Sequence, residues 1–214
     1  SEAELGPPVP RPRNSFAIGL NYQAHAAEGS MDVPDNPLVF TKFPSCLVGP
    51  RADVELRSAH VDYEGELVVV IGPGGKDIPE AEAWQHVVGL MVGQDISDRR
   101  VQFAAKPPHF DLGKSFDTFG PTGPVMVAPS AVDPSQLRIV TKINNEVRQD
   151  GTTDQLIFSI PTLIAYLSRV TTLAPGDLIM TGTPAGVGAV VPGDVITGGV
   201  DGVGTLEVTI GDPT

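Results

Sequence analysis

The chain has 214 residues, enough for one well-filled domain and barely enough for two. Fourteen Lys and Arg against 26 Asp and Glu give a formal charge of −12, which opposes a phosphate backbone; the densest basic cluster is only Arg99-Arg100, so no nucleic-acid partner is expected. A hydrophobic share of 41% supports an ordinary core, yet no run nears the roughly 18 apolar residues of a membrane helix. No basic-then-apolar leader opens the sequence, and the single Cys46 can make no intramolecular disulfide or Cys-x-x-Cys site. The expectation is a soluble protein with no membrane partner, in a reducing, cytoplasmic setting.

With 24 Gly, 21 Pro and many Val/Ile runs, the composition predicts a β-rich α+β fold with many turns. Residues 1–15 hold four prolines and read as an extended arm or linker, followed by one domain over 16–214. A short buried strand over Phe16–Leu20 leads into an Ala-rich helix capped by Asn21 and stopped by Gly29-Ser30. Leu38–Phe43 and Asp62–Ile71 read as strands, Pro79–His86 as a helix, Val87–Asp95 as a strand and Ser97–Ala105 as a helix. Strands follow over Gly123–Val127 and Leu137–Asn144, with a hairpin turn at Asn144-Asn145. Ile160, Leu163, Ile164 and Leu167 mark a helix over 160–170, and short strands are expected over Asp177–Thr181, Asp194–Thr197 and Thr205–Ile210.

Glu64 and Glu66 are two apart in a predicted strand, so both carboxylates face one way, about 6–7 Å apart along the chain. Like charges that close repel unless a cation or water separates them. Asp95 closes the next apolar strand, where strand ends meet loop-lined clefts. Three carboxylates without Cys, and without His at matching spacing, describe a hard-cation site for Mg²⁺ first, then Mn²⁺ or Ca²⁺. The competing reading is that Glu64 and Glu66 form the wet face of an edge strand.

Five segments taken together resemble the fumarylacetoacetate hydrolase family. They are Gly19-Leu20-Asn21-Tyr22 with His25 and Glu28, Asp62-Tyr63-Glu64-Gly65-Glu66-Leu67, and Gln94-Asp95 with Ser97, Arg99 and Gln102. Gly113-Lys114-Ser115-Phe116-Asp117 and Thr181-Gly182-Thr183-Pro184 with Gly186-Val187-Gly188 complete the set. The resemblance is to the family's catalytic domain. It implies a distorted β-roll or barrel with short peripheral helices, usually a homodimer, and a Mg²⁺ or Mn²⁺ held by Glu64, Glu66 and Asp95. It also places the helix after Asn21 in a lid. One departure is Arg100, where many relatives carry Asp; it adds charge beside an anion pocket or points outward.

A divalent ion can chelate a 2-oxo acid and stabilise the enolate released when a neighbouring C–C bond breaks. His25 and Glu28, three apart on a short helix, share a face, so Glu28 can orient the imidazole as a base toward water. Lys114 would neutralise an enolate or carboxylate oxygen, Arg99 and Gln102 would clamp the substrate carboxylate, and the Thr183 loop would offer it N–H groups and a hydroxyl. His60, His86, His109 and Trp84 have no such company and read as structural. The favoured expectation is hydrolytic C–C cleavage of an acylpyruvate-like 1,3-diketo acid. Oxaloacetate-type decarboxylation, dienedioate isomerisation and a non-catalytic, metal-stabilised scaffold are the alternatives.

Overall fold

A computed structural model of the chain describes residues 5–28 and 32–212. In chain order they form β1 (Ser15–Gly19), α1 (Gln23–Glu28), β2 (Leu38–Thr41), β3 (Leu47–Val48), β4 (Asp53–Glu55), β5 (Val61–Asp62) and β6 (Gly65–Ile71). There follow β7 (Val87–Gln94), β8 (Ser97–Asp98), α2 (Arg99–Gln102), α3 (Phe110–Gly113), β9 (Gly120–Val127), β10 (Arg138–Ile143) and β11 (Glu146–Thr152). The remainder is α4 (Ile160–Val170), β12 (Leu178–Met180), β13 (Val195–Val200) and β14 (Gly204–Gly211).

A curled seven-stranded sheet runs β2-β1-β12-β6-β7-β9-β3, and a five-stranded sheet runs β11-β10-β13-β14-β4. β6 is buried along its whole length and β7 everywhere but Val88, which is why both read as unbroken apolar runs and lie inside their sheet. β14 alternates buried Leu206, Val208 and Ile210 with exposed partners, the pattern of a strand with one wet face. The two sheets enclose a core of Val, Ile and Leu side chains, and Val9 of the proline-rich stretch packs against it. The β-rich α+β expectation is met.

Local chemistry explains several boundaries. α4 starts where Ser159 Oγ accepts the Thr162 N–H at 3.3 Å, with Pro161 in its first turn, and Ile160, Leu163, Ile164 and Leu167 form its buried face. Asn144 and Asn145, at φ +50° and +70°, make the two-residue turn between β10 and β11.

Four expectations need correction. The segment after Pro79 is a 3₁₀ helix over Glu80–His86, not an α-helix. Ser97–Ala105 is split: Ser97 and Asp98 pair with β5, and only Arg99–Gln102 is helical, capped by Asp98 Oδ1 on the Val101 N–H at 3.1 Å. The strand expected from Asp62 is interrupted at Tyr63-Glu64 before β6 begins. Asn21 does not cap α1, whose expected stop at Gly29-Ser30 lies outside the described residues. Its buried carboxamide instead donates to the carbonyls of Thr181 (2.8 Å) and Phe158 (3.1 Å) and accepts the Phe158 N–H at 2.8 Å.

Asn21 therefore ties the start of α1 to two distant segments. Asn21→Ala removes three hydrogen bonds at about 1 kcal/mol each, so a loss of about 3 kcal/mol is expected in urea unfolding. A loss below about 1 kcal/mol would show that these bonds do not anchor the segment.

Candidate active site

The β6–β7 register opposes Gly65 to Gln94 and Glu66 to Gly93, and the Asp95 N–H to Glu64 carbonyl bond (2.8 Å) extends the pairing one step further. Glu64 and Asp95 thus face each other across the end of the pair, with Glu66 two residues along. One oxygen from each of the three buried carboxylates lies within 4.8 Å of the others. Glu64 and Glu66 are 6% and 1% exposed, so they are not the wet face of an edge strand. Gly65 points the opposite way, where a Cβ would stand 2.1 Å from Thr141 Oγ1. Only glycine lets the second sheet close against this turn of chain.

Three cations surround the carboxylates. Lys114 Nζ bonds Glu64 Oε2 and Asp95 Oδ2, both at 2.8 Å, and Ser97 Oγ at 2.6 Å. Lys42 Nζ bonds Asp95 Oδ1 at 2.7 Å. Arg99 pairs through Nη2 with Glu64 Oε1 and through Nε with Asp62 Oδ2 at 2.6 Å, and its Nη1 donates to Gln102 Oε1 at 2.8 Å. Burial opposes the charge on Lys114, but Asp95 and Glu64 outweigh it and hold the ammonium above its usual range. Burial would likewise raise Glu64, yet Lys114 and Arg99 prevail and depress it well below the ordinary carboxylate range. Glu66 behaves oppositely: burial, then the charges of Asp95 and Glu64, push it well up, while the Gly182 N–H on its Oε2 (2.8 Å) only partly compensates. Asp62 is pushed up to about 7 by burial, despite Arg99 and with the added charge of Glu64.

The pocket above this cluster has a polar floor that includes Glu64, Arg99, Gln102, Lys114 and Thr183, with His25 at its side. Ile18, Leu20, Phe103 and Phe110 supply its apolar walls. His25 Nδ1 lies 3.5 Å from Glu28 Oε2, and both Glu28 oxygens accept the Gly186 N–H at 3.2 Å. The Thr183 hydroxyl donates to the Gly65 carbonyl (2.9 Å) and accepts from Gln149 Nε2 (2.7 Å), so its hydrogen-bonding capacity is largely used within the protein. All nine residues singled out in the sequence gather here. Arg100, by contrast, is exposed and does not line the pocket.

Sequence reasoning passed over Lys42, Asp62 and Gln149. Lys42 is 0% exposed, and its signal was a lone lysine inside the apolar run Leu38–Phe43. Asp62 opens the motif that carries Glu64 and Glu66, so its proximity was legible although its partner was not. Gln149, arriving from β11 in the other sheet, had no local signal. His86 bonds the Gly74 carbonyl at 2.6 Å, at the opposite end of β7 from Asp95.

A divalent cation fits this donor set. Three hard oxygens converge with no sulfur or imidazole among them. Glu66→Gln keeps an acceptor for the Gly182 N–H and removes an ionisable group whose charged form burial, Asp95 and Glu64 disfavour. In chelator at neutral pH it is expected to raise the melting temperature by about 2–4 °C, the effect of roughly 1 kcal/mol in a chain of this size. Mn²⁺ is expected to raise the melting temperature of the unmodified protein and to leave that of this variant unchanged. Differential scanning fluorimetry with and without Mn²⁺ tests both; a lower melting point, or an undiminished Mn²⁺ response, contradicts this account of the triad.

The sequence matches the family model described as fumarylacetoacetate (FAA) hydrolase C-terminal over residues 14–211. It is 44% identical over 191 residues to the mitochondrial oxaloacetate tautomerase FAHD2A of Homo sapiens, covering 88% of this chain and 61% of that protein. It is 42% identical over 226 residues to the oxaloacetate tautomerase YisK of Bacillus subtilis (strain 168), covering 99% of this chain and 74% of that protein. The fold superposes with a TM-score of 0.88 on fumarylpyruvate hydrolase from Pseudomonas aeruginosa, solved with Mn²⁺ and pyruvate, at 36% identity over 99% of this chain and 97% of that one. These relatives are enzymes, and the one with the hydrolase name carries a divalent ion beside a small 2-oxo acid. By sequence, fold and clustered motifs alike, the chain belongs to the fumarylacetoacetate hydrolase family.

Proposed function

We propose that this chain is a divalent-cation-dependent enzyme that moves a proton on a small 2-oxo dicarboxylate, with oxaloacetate keto–enol tautomerisation as its reaction. The observation that carries the proposal is the buried triad of Glu64, Glu66 and Asp95 beneath a pocket that also holds His25, Arg99 and Lys114. The names of the curated relatives support the choice of substrate. Glu64, Glu66 and Asp95 would hold Mg²⁺ or Mn²⁺, with Ca²⁺ a weaker fit. When bound, such an ion supplies a Lewis acid that polarises the 2-oxo group and acidifies the adjacent C–H.

The remaining chemistry belongs to side chains. Arg99 is held on three sides by Asp62, Glu64 and Gln102, which leaves its unused N–H groups directed by a fixed frame. Because Gln102 Oε1 accepts from Arg99, its carboxamide keeps two N–H donors for a substrate carboxylate. His25, with Glu28 on Nδ1, keeps Nε2 as the atom that would carry one proton from the adjacent carbon to the 2-oxo oxygen as the enol forms, and back to carbon as the keto form returns. Lys114 is kept charged by Asp95 and Glu64 despite its burial, and would balance negative charge growing on the 2-oxo oxygen. The apolar walls exclude water from the exchanging proton.

Hydrolytic C–C cleavage of an acylpyruvate is the second reading. The His25–Glu28 pair favours it, since the same Nε2 could deprotonate a water. The catalytic unit is taken as residues 16–214 after an arm of residues 1–15, working as a homodimer in the cytoplasm, where the lone buried Cys46 stays a thiol.

The two readings separate in one set of assays. With Mn²⁺ present, the protein is expected to speed the decay of enol oxaloacetate while releasing no pyruvate from acetylpyruvate. His25→Ala should lower the tautomerase rate by about 100-fold, the lower end of general acid–base contributions, without changing Mn²⁺ affinity. Pyruvate release from acetylpyruvate with no effect on the enol would overturn the tautomerase assignment in favour of hydrolysis. Activity on neither substrate would end both.

A further inference from the structure

Each carboxylate of the triad has one oxygen already taken by a donor of the protein. Glu64 Oε1 accepts from Arg99 Nη2, Glu66 Oε2 from the Gly182 N–H at 2.8 Å, and Asp95 Oδ1 from Lys42 Nζ at 2.7 Å. The opposite oxygens of Glu64 and Asp95 meet Lys114 Nζ, which, unlike Lys42, lines the pocket.

The two lysines differ in what holds them. Lys114 bonds only side-chain atoms: two carboxylates and the Ser97 hydroxyl. All three protons of Lys42 are used on Asp95 Oδ1, the Ile96 carbonyl (3.4 Å) and the Lys114 carbonyl. Two of those acceptors are backbone, and the side chain is 0% exposed. Lys42 is a fixture that cannot leave, whereas Lys114 can yield its two oxygens to an incoming ion.

We propose that Lys42 is a positioning residue that sets cation choice: by occupying Asp95 Oδ1 permanently, it restricts Asp95 to one donor oxygen and biases the triad toward small six-coordinate ions over Ca²⁺. Ca²⁺ takes six to eight oxygens and gains from carboxylates that bind through both, whereas Mg²⁺ and Mn²⁺ are satisfied by single oxygens plus water or substrate. Lys42 does not line the pocket, and Asp95 is the one triad member it bonds, so its effect on the acids runs through Asp95. The inference rests on the reading of Glu64, Glu66 and Asp95 as cation ligands.

Isothermal titration of the purified protein with Mn²⁺ and with Ca²⁺, repeated on Lys42→Met, tests it. Methionine keeps most of the volume but offers no donor. The ratio of Mn²⁺ to Ca²⁺ affinity is expected to fall by about tenfold in the variant, the scale on which an outer partner of a ligand tunes a site. A purely structural role would weaken both ions together and leave the ratio unchanged, which would overturn the proposal. Should Lys42→Met fail to fold, a Ca²⁺-loaded crystal of the unmodified protein decides: Asp95 bound through one oxygen supports the proposal, and Asp95 bound through both refutes it. If neither ion binds the unmodified protein, the cation site itself is refuted along with this inference. Binding with an unaltered ratio refutes the inference alone.

Discussion

Electrostatic repulsion among three carboxylates withdrawn from water is the constraint around which this molecule is organised. At the effective dielectric of a protein site, two unit charges about 5 Å apart repel by roughly 3 kcal/mol, more than a typical hydrogen bond returns on folding. Hydrogen bonds alone could not hold Glu64, Glu66 and Asp95 together. Lys42, Lys114 and Arg99 do most of it, and with Asp62 included four acids face three bases. The imbalance falls on Glu66, which among the described residues has no cationic side chain bonded to it and takes the Gly182 amide. Where charge is missing in a buried cluster, a cation finds its place.

The backbone does the placing. Antiparallel β6 and β7 are so thoroughly buried that their register cannot slip without forcing each side chain into the packing of the opposite face. That register opposes Glu64 to Asp95 at the strand ends. The second sheet presses on the other side of Gly65, and Gln149 reaches across to accept the Gly65 N–H at 2.9 Å and donate to Thr183. The rigid parts of the fold carry the acids, and the short helices α1, α2 and α3 bring or flank His25, Arg99, Gln102 and Lys114.

Much of this was legible in the sequence, for identifiable reasons. α4 announced itself by Pro161 in its first turn and four apolar positions at helical spacing, and the Asn144-Asn145 turn by residue types that accept left-handed backbone. The triad was legible because two of its members sit two apart beside an apolar run and the third ends the next one. Asn21 misled because a cap and a tertiary tether use the same amide, and only the distant Thr181 and Phe158 carbonyls decide between them. Lys42 stood out as a lone lysine in an apolar run, but its role was hidden for a related reason: nothing near it in sequence supplies its counter-charge, which arrives from Asp95, 53 residues on.

The loop that follows β12 touches both halves of the pocket. Its Gly182 amide holds Glu66, and four residues later its Gly186 amide holds Glu28, the partner of His25. Gly186 has room for nothing larger, since a Cβ there would lie 1.9 Å from the Arg148 carbonyl oxygen. The span from 182 to 186 works as a ruler between acid cluster and imidazole, and lengthening or shortening it by one residue would put the two out of step. Diversity in what the pocket accepts must therefore come from elsewhere, through exchange of the wall residues Ile18, Leu20, Phe103 and Phe110, which can change size without moving the ruler.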